Sequence, residues 1–493
     1  MNSPQDDLAL RLPLSGVQLI EASAGTGKTF TLTAWVLRLL LEGGVPLPKL
    51  LVVTFTRAAT AELRDRVRRR LRIAEYLLNG GTASDDEDRQ TAALIEHARL
   101  RGIDDVTLDL RLQAALLQLD EAAISTIHGF CQRALREFGF LAGALNDDEI
   151  IDNAGELWDD VAADLWRTAS TGDAQGFQHL CRLWSAPDAL ARSLPRLCDP
   201  ARRLLPEAGE SDLAAWLHEL RNDAGARFEQ ALAERSQRTH DQLIEQVWQA
   251  SAQPAFAAAL RQRWPMMLVD EFQDTDPRQW EIFRRIFEAE GEAEAGLFLI
   301  GDPKQAIYRF RGGDLPTYLQ AREFARAHGS EASLDINYRS RPAVLAAIET
   351  LFTANNLPFI DPGIEFHHVH ASARADDAAL KVNGEIPPGL VVHWLPPDPT
   401  GKSRRAKEDD TDSAVAMTVA EIVRLLNHGT LTDDRGERRL RPSDIAVLVR
   451  QNKQVAWMRD ALAAAGISAA TQSNDSVFAS ETAGEVRALL LAF

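Results

Sequence analysis

Lysine is scarce in this chain. Only seven of its 54 basic residues are lysine, so a lysine at a meaningful position stands out from the background. Cysteine is scarcer still. Cys131, Cys181 and Cys198 make an odd count of three, widely spaced, which excludes a disulfide framework and gives no zinc-ligand spacing. A reducing compartment follows, and the cytoplasm is the expected location. No apolar run approaches the roughly 20 residues of a membrane span, so no membrane partner is expected. The opening residues, Met1 to Asp7, lack the basic and apolar regions of a secretory leader. A positive charge balance is missing too. The formal net charge of −18 removes any overall attraction to nucleic acid, so contact with DNA has to be local. The densest basic stretch, Arg64, Arg66, Arg68, Arg69, Arg70 and Arg72, reads equally as a solvated helix face or a phosphate track.

What is present is a phosphate-loop pattern. The 493 residues suffice for two to four domains, each with its own core. Near the start, the apolar run Val17-Gln18-Leu19-Ile20 leads into Ala22, Ser23, Ala24, Gly25, Thr26, Gly27, Lys28 and Thr29. A segment with helical apolar spacing follows, Leu32 to Leu41. Strand, small-residue loop and helix are the setting such a loop requires. Gly25 and Gly27 let backbone N–H groups converge on phosphate oxygens, and the helix opening at Lys28 aims its positive end at the same point. Lys28 is placed to reach the β- and γ-phosphates of ATP, and Thr29 to offer its hydroxyl to Mg²⁺. Ala22 stands where the usual pattern has glycine, which is acceptable only if that position avoids positive φ.

Further strand-like runs at Leu50–Thr54, Met266–Val269, Leu297–Ile300 and Ser333–Ile336 alternate with helical patterns. The economical fold class is α/β with a parallel sheet. From 139 to 262 the pattern turns helical, and six of the ten tryptophans fall between Trp158 and Trp264. An inserted helical domain is expected there, between two parts of one ATPase lobe at 1–138 and 263–338. A partial second lobe is expected over 339–493. Its expected strands are Leu390–Trp394 and Ile445–Val449, and residues 372–413 have the composition of a mobile insertion. The chain stops inside an apolar helical pattern at Leu489-Leu490-Leu491-Ala492-Phe493, which reads as a fragment.

A second half-site comes later. Leu268-Val269-Asp270-Glu271 ends an apolar strand in two acids. Asp270 is placed to hold Mg²⁺ and Glu271 to polarise a water for in-line attack. After the next strand, Gln305 can meet the γ-phosphate or its attacking water. Tyr308 and Phe310, interleaved with Arg309 and Arg311, are candidates for stacking on unpaired bases. Arg339 is a candidate arginine finger.

These segments, in this order, resemble the UvrD-like superfamily 1 DNA helicases. Thr54-Phe55-Thr56-Arg57-Ala58-Ala59-Thr60 matches the family's DNA-contacting motif, and Ser125-Thr126-Ile127-His128-Gly129 its Thr-x-His motif. The wording of Ile20–Thr31, His128–Cys131 and Gly301–Ala306 is similar to the RecB type, the beta subunits of exodeoxyribonuclease V, which share the alanine at Ala22. The resemblance implies two RecA-like lobes, the P-loop NTPase fold, with Lys28, Thr29, Asp270, Glu271, Gln305 and Arg339 serving ATP hydrolysis. It places Thr56, His128, Tyr308 and Phe310 against single-stranded DNA. It further implies 3′→5′ unwinding in double-strand-break repair, duplex DNA ends as substrate and RecC-type and RecD-type subunits as partners. The later helicase motifs, a glutamine-centred adenine motif and a nuclease motif are not found, so weak ATP binding and slow hydrolysis, with little stimulation by DNA and no unwinding or DNA cutting, are expected of these residues alone. The competing readings are a stand-alone UvrD/Rep-type helicase, an AddA-type helicase–nuclease, and a non-catalytic DNA-binding or assembly fragment.

Overall fold

The computed structural model describes residues 8–143, 148–199, 203–288, 294–308, 313–359, 361–372, 379–395, 407–433, 436–471 and 481–492. They form two compact units: one runs to Asn337 and includes Phe359–His367, and the other holds Tyr338–Pro358 and the chain from His368 onward.

Besides the two-residue strand Ile336–Asn337, the described residues of the first unit form eight strands. They are β1 (Gly16–Ala22), β2 (Leu50–Thr54), β3 (Ala123–Thr126), β4 (Glu149–Ile151), β5 (Gln237–Thr239), β6 (Met266–Val269), β7 (Gly296–Gly301) and β8 (Gly329–Leu334). Six of them make one sheet in the order β3-β2-β6-β7-β1-β8, and every pairing in it is parallel. A parallel sheet is covered on both faces, so its strands can be apolar throughout. That is why β2, β6 and β7 are buried from end to end. Side chains alternate between the faces. Leu50, Val52, Leu268, Phe298 and Ile300 join one core with the helices Lys28–Leu41, Arg57–Leu78, Asp86–Leu100 and Asp105–Leu117. Leu51, Val53, Val269, Leu297 and Leu299 join the other, with Ile127–Phe138, His240–Ser251, Pro254–Arg263, Pro277–Glu288 and Leu315–His328.

The expected strand at Ser333–Ile336 overlaps the end of the edge strand Gly329–Leu334, which starts earlier and borders β1, while Ile336 opens a separate two-residue strand, Ile336–Asn337. Within 139–262, the helices from Gly155 to Glu234 bury a core of their own, with Trp158 stacked on Phe228 at 3.9 Å. The helices His240–Ser251 and Pro254–Arg263 pack instead on the main sheet. Where this excursion leaves and returns, β4 and β5 pair in parallel.

In the second unit, Ala379–Val382, Gly429–Asp433 and Gly436–Arg439 form a three-stranded antiparallel sheet. The helices Lys407–His428 and Asn452–Ala464 pack through Ile422, Met458 and Leu462. Both ends of the expected insertion 372–413 that are described thus enter regular structure: Ala379–Val382 is a strand and the long helix starts at Lys407. Leu390–Trp394 and Ile445–Val449 form no ladder among the described residues. Trp394 and Leu448 are 87% and 95% exposed, and a strand without a neighbour has no partner for its backbone. Among the described residues no helix is long and apolar enough to cross a membrane.

Candidate active site

The loop after β1 turns on two glycines. Gly25 and Gly27 have φ of +79° and +89°, a region that side-chain-bearing residues rarely adopt. Ala22 ends the extended strand, fully buried and outside the positive-φ set, so alanine fits there without strain. Thr26 Oγ1 donates to the Ser23 carbonyl at 2.7 Å, and Asn337 Nδ2 donates to the Ala24 carbonyl at 2.7 Å. These bonds hold the loop from inside and from the far side of β8. The helix opens at Lys28, with Gly27 at its N-cap. Gln18, the nearest glutamine to the loop, is buried within β1 and tied to Ser15 and Ser330.

Lys28 Nζ lies 2.6 Å from Glu271 Oε2. The pair joins the loop after β1 to the turn after β6, two strands apart in the sheet. Glu271 adopts φ +50°, a left-handed conformation that is uncommon for a residue with a side chain and that clusters at functional sites. Its neighbour Asp270 sits at the strand end, its N–H bonded to the Val53 carbonyl at 2.9 Å and its Oδ1 accepting from Glu271 N at 2.9 Å. Burial, reinforced by the Glu271 carboxylate, pushes the Asp270 carboxyl up to about 6. Asp274, also buried and near Glu271, is raised to about 6 for the same two reasons in the same order. Three acids facing one lysine make a site short of positive charge. Gln305 is held by its side-chain amide, with Nε2 donating to Asp302 Oδ2 at 2.6 Å.

The residues expected to face DNA follow the ends of β2, β3 and β7. Thr56 caps the helix Arg57–Leu78, accepting from Ala59 N at 3.0 Å. His128 lies in the first turn of the helix Ile127–Phe138, half-buried, its ring 4.7 Å from that of His240. Burial and then His240 hold the His128 imidazole below its ordinary pKa. Tyr308 stacks on Phe55 at 5.0 Å, with 27° between the rings. Phe310 lies outside the described residues, as do Arg309 and Arg311. Arg339 belongs to the second unit, with an exposed side chain. The structure therefore brings together the loop from Ala22 to Thr29 with Glu271, and sets Asp270 beside Glu271. The arginine-rich stretch is largely self-neutralised: Arg66 pairs with Glu62, Arg68 with Asp65, Arg69 with Glu87 and Arg72 with Glu75.

Several residues here carry no signal in the sequence reading. Gln273 donates to Glu271 Oε2 at 2.8 Å and accepts from the Asp302 N–H at 2.9 Å. Asn337 braces the phosphate loop, and Phe55 backs Tyr308. Each stands within a stretch already singled out, so proximity to a motif was the available clue.

Residues 1–326 match the family model of the UvrD/REP helicase N-terminal domain. The chain is 32% identical over 615 residues to RecBCD enzyme subunit RecB of Escherichia coli (strain K12), covering 98% of this chain and 50% of that protein. It is 34% identical over 488 residues to the subunit of the same name from Mycolicibacterium smegmatis, covering 96% and 42%. For that of Mycobacterium tuberculosis (strain ATCC 25618 / H37Rv) the figures are 35% over 508 residues, covering 98% and 42%. The chain thus spans about half the length of these curated relatives.

Proposed function

The chain belongs to the UvrD/REP helicase family, and on that footing we propose that it is the helicase part of a RecB-type subunit, using ATP hydrolysis to move 3′→5′ along single-stranded DNA and unwind duplex ends. The observation that carries the reading is the 2.6 Å contact between Lys28 and Glu271, a phosphate-binding lysine meeting an acid from a strand two places away. By the same reading the partners are RecC-type and RecD-type subunits, the setting is double-strand-break repair in the cytoplasm, and the work is unwinding rather than cutting.

The residues fit ATP and Mg²⁺. A loop with two positive-φ glycines at a helix N-terminus suits a polyphosphate. Thr29 and Asp270 are the hard oxygen donors that Mg²⁺ takes in small number alongside phosphate oxygens. When bound, the metal neutralises charge on the transferring phosphoryl group. Lys28 binds phosphate in competition with its bond to Glu271, and a displaced Glu271 is free to accept a proton from water. Gln305 orients that water. Arg339 is the proposed arginine finger, supplying positive charge to the transition state. Thr56, His128, Tyr308 and Phe310 hold the strand. ATP turnover by the purified chain, with and without DNA, and by Lys28→Ala tests the reading. Turnover should be lost in the variant while single-strand binding without nucleotide survives. Undiminished hydrolysis by Lys28→Ala would remove the assignment.

A further inference from the structure

A second buried ion cluster borders the site and has no part in the account above. Parallel pairing of β1 with β7 sets Glu21 beside Gly301, three residues before Lys304. Lys304 Nζ lies 2.5 Å from Glu21 Oε1 and 3.0 Å from Asp302 Oδ1. The side chains of Lys304, Glu21 and Asp302 are 11%, 6% and 2% exposed. The Lys304 N–H also donates to Asp302 Oδ1, at 3.1 Å. His367 Nε2 approaches Glu21 at 3.5 Å. With one oxygen of Asp302 held by Lys304, the other receives the Gln305 amide. From Asp302 N–H the bonds continue through Gln273 to Glu271 and Lys28. The chain of contacts therefore runs from the phosphate-loop lysine, across β6 and β7, to the end of β1, which itself leads into the phosphate loop.

Burying three charges is expensive, and apolar residues of similar size usually serve stability as well or better. The arrangement makes chemical sense if it fixes an orientation. An ionised carboxylate only accepts hydrogen bonds, so Asp302 fixes which end of the Gln305 amide faces it. The nitrogen is turned toward Asp302, and the carbonyl is the end that can accept from water. We propose that Lys304 and Glu21 are a positioning pair: they clamp Asp302 so that Gln305 presents its side-chain carbonyl to the attacking water. The pair also ties Gln305 to the strand that carries the phosphate loop. This rests on the ATP-hydrolysis reading above.

The test measures kcat, KM for ATP and Tm of the full chain with DNA. Lys304→Met should lower kcat about tenfold, the usual scale for removing a group that orients another, with KM within about twofold. In a Gln305→Ala background the same substitution should change nothing further, because the pair acts through Gln305. The double variant Glu21→Gln/Lys304→Met removes both charges and should recover Tm without recovering kcat. Three results overturn the proposal: wild-type kcat in Lys304→Met, losses that multiply with Gln305→Ala, or kcat returning in step with Tm in the double variant. Lys28→Ala and Gln305→Ala are measured alongside. If both hydrolyse ATP normally, the reading of the site itself fails. If both collapse while Lys304→Met is normal, only the positioning role fails.

Discussion

Leu299 and Leu448 sit in stretches of similar composition, one in each unit, and their surroundings differ completely. Leu299 is 0% exposed on β7, with strands on both sides and helices over both faces. Leu448 is 95% exposed, in a stretch that forms no ladder among the described residues. The helix Pro342–Thr353 of the second unit, apolar over most of its length, likewise has no buried residue. The stability of a strand lies in its neighbours more than in its own residues. The first unit has the neighbours, and the candidate chemistry is mounted there, on the ends of strands locked by packing. A site held this way keeps its geometry better than one held on loops alone.

Four sets of measurements probe that contrast. Glu271→Gln should reduce ATP turnover by about 10²–10⁴, the scale of losing a general base. Affinity for ATP should stay level or rise a few-fold, because the carboxylate no longer competes for Lys28. Nucleotide titration alongside a turnover assay separates the two effects, and normal turnover would move the chemistry off this strand end. Next in size, Leu299→Ala should cost about 2–5 kcal/mol in urea unfolding. Leu448→Ala should stay within about 0.5 kcal/mol. Equal losses would erase the distinction between the units.

Stacking on a base is worth about 1–3 kcal/mol, so Tyr308→Ala should weaken single-strand binding roughly tenfold, read by fluorescence anisotropy. Trp394→Ala, on the second unit, is the comparison. If it weakens binding as much, aromatic residues of both units share the strand and the division of labour dissolves.

The smallest effect is in acid. Arg438, by hydrogen bonds, holds the Asp444 carboxyl down to about 2. Its pKa is depressed on folding, so its stabilisation is present above the ordinary carboxylate value and is lost as pH falls through about 2. Asp276 in the first unit is shifted the other way, raised chiefly by burial. Its contribution is greatest below the ordinary value of about 4 and declines as pH rises through the raised one. Melting curves of Asp444→Asn should therefore approach wild type only toward pH 2. Those of Asp276→Asn should differ from wild type in slope above about pH 4.

Much of the first unit was legible in the sequence, for a physical reason. Buried parallel strands are apolar from end to end, so Leu50–Thr54, Met266–Val269 and Leu297–Ile300 announce themselves, and the phosphate loop follows its strand directly. The edge strand β8, Gly-Ser-Glu-Ala-Ser-Leu, is half-buried and carries little apolar signal, so only its last two residues, Ser333 and Leu334, fall within the run the sequence marks as a strand. In the second unit the reading failed in the opposite direction. Leu390–Trp394 has the residues of a strand, but no composition supplies a partner. At the site, residues whose role is local were readable, such as Gly27 and Lys28. Contacts such as Glu21 with Lys304 depend on β1 lying between β7 and β8. Nothing in either segment states which strands are neighbours.

The pairing of β4 with β5 closes the excursion between them at its base. Departure and return points lie side by side, so the route of the six-stranded sheet does not depend on how long the excursion is or what it contains. A gene could lengthen, shorten or exchange that segment while leaving the sheet's wiring intact. The helices from Gly155 to Glu234, with their separate core, are thus the part of the first unit most open to evolutionary replacement, and the natural place to graft a foreign domain.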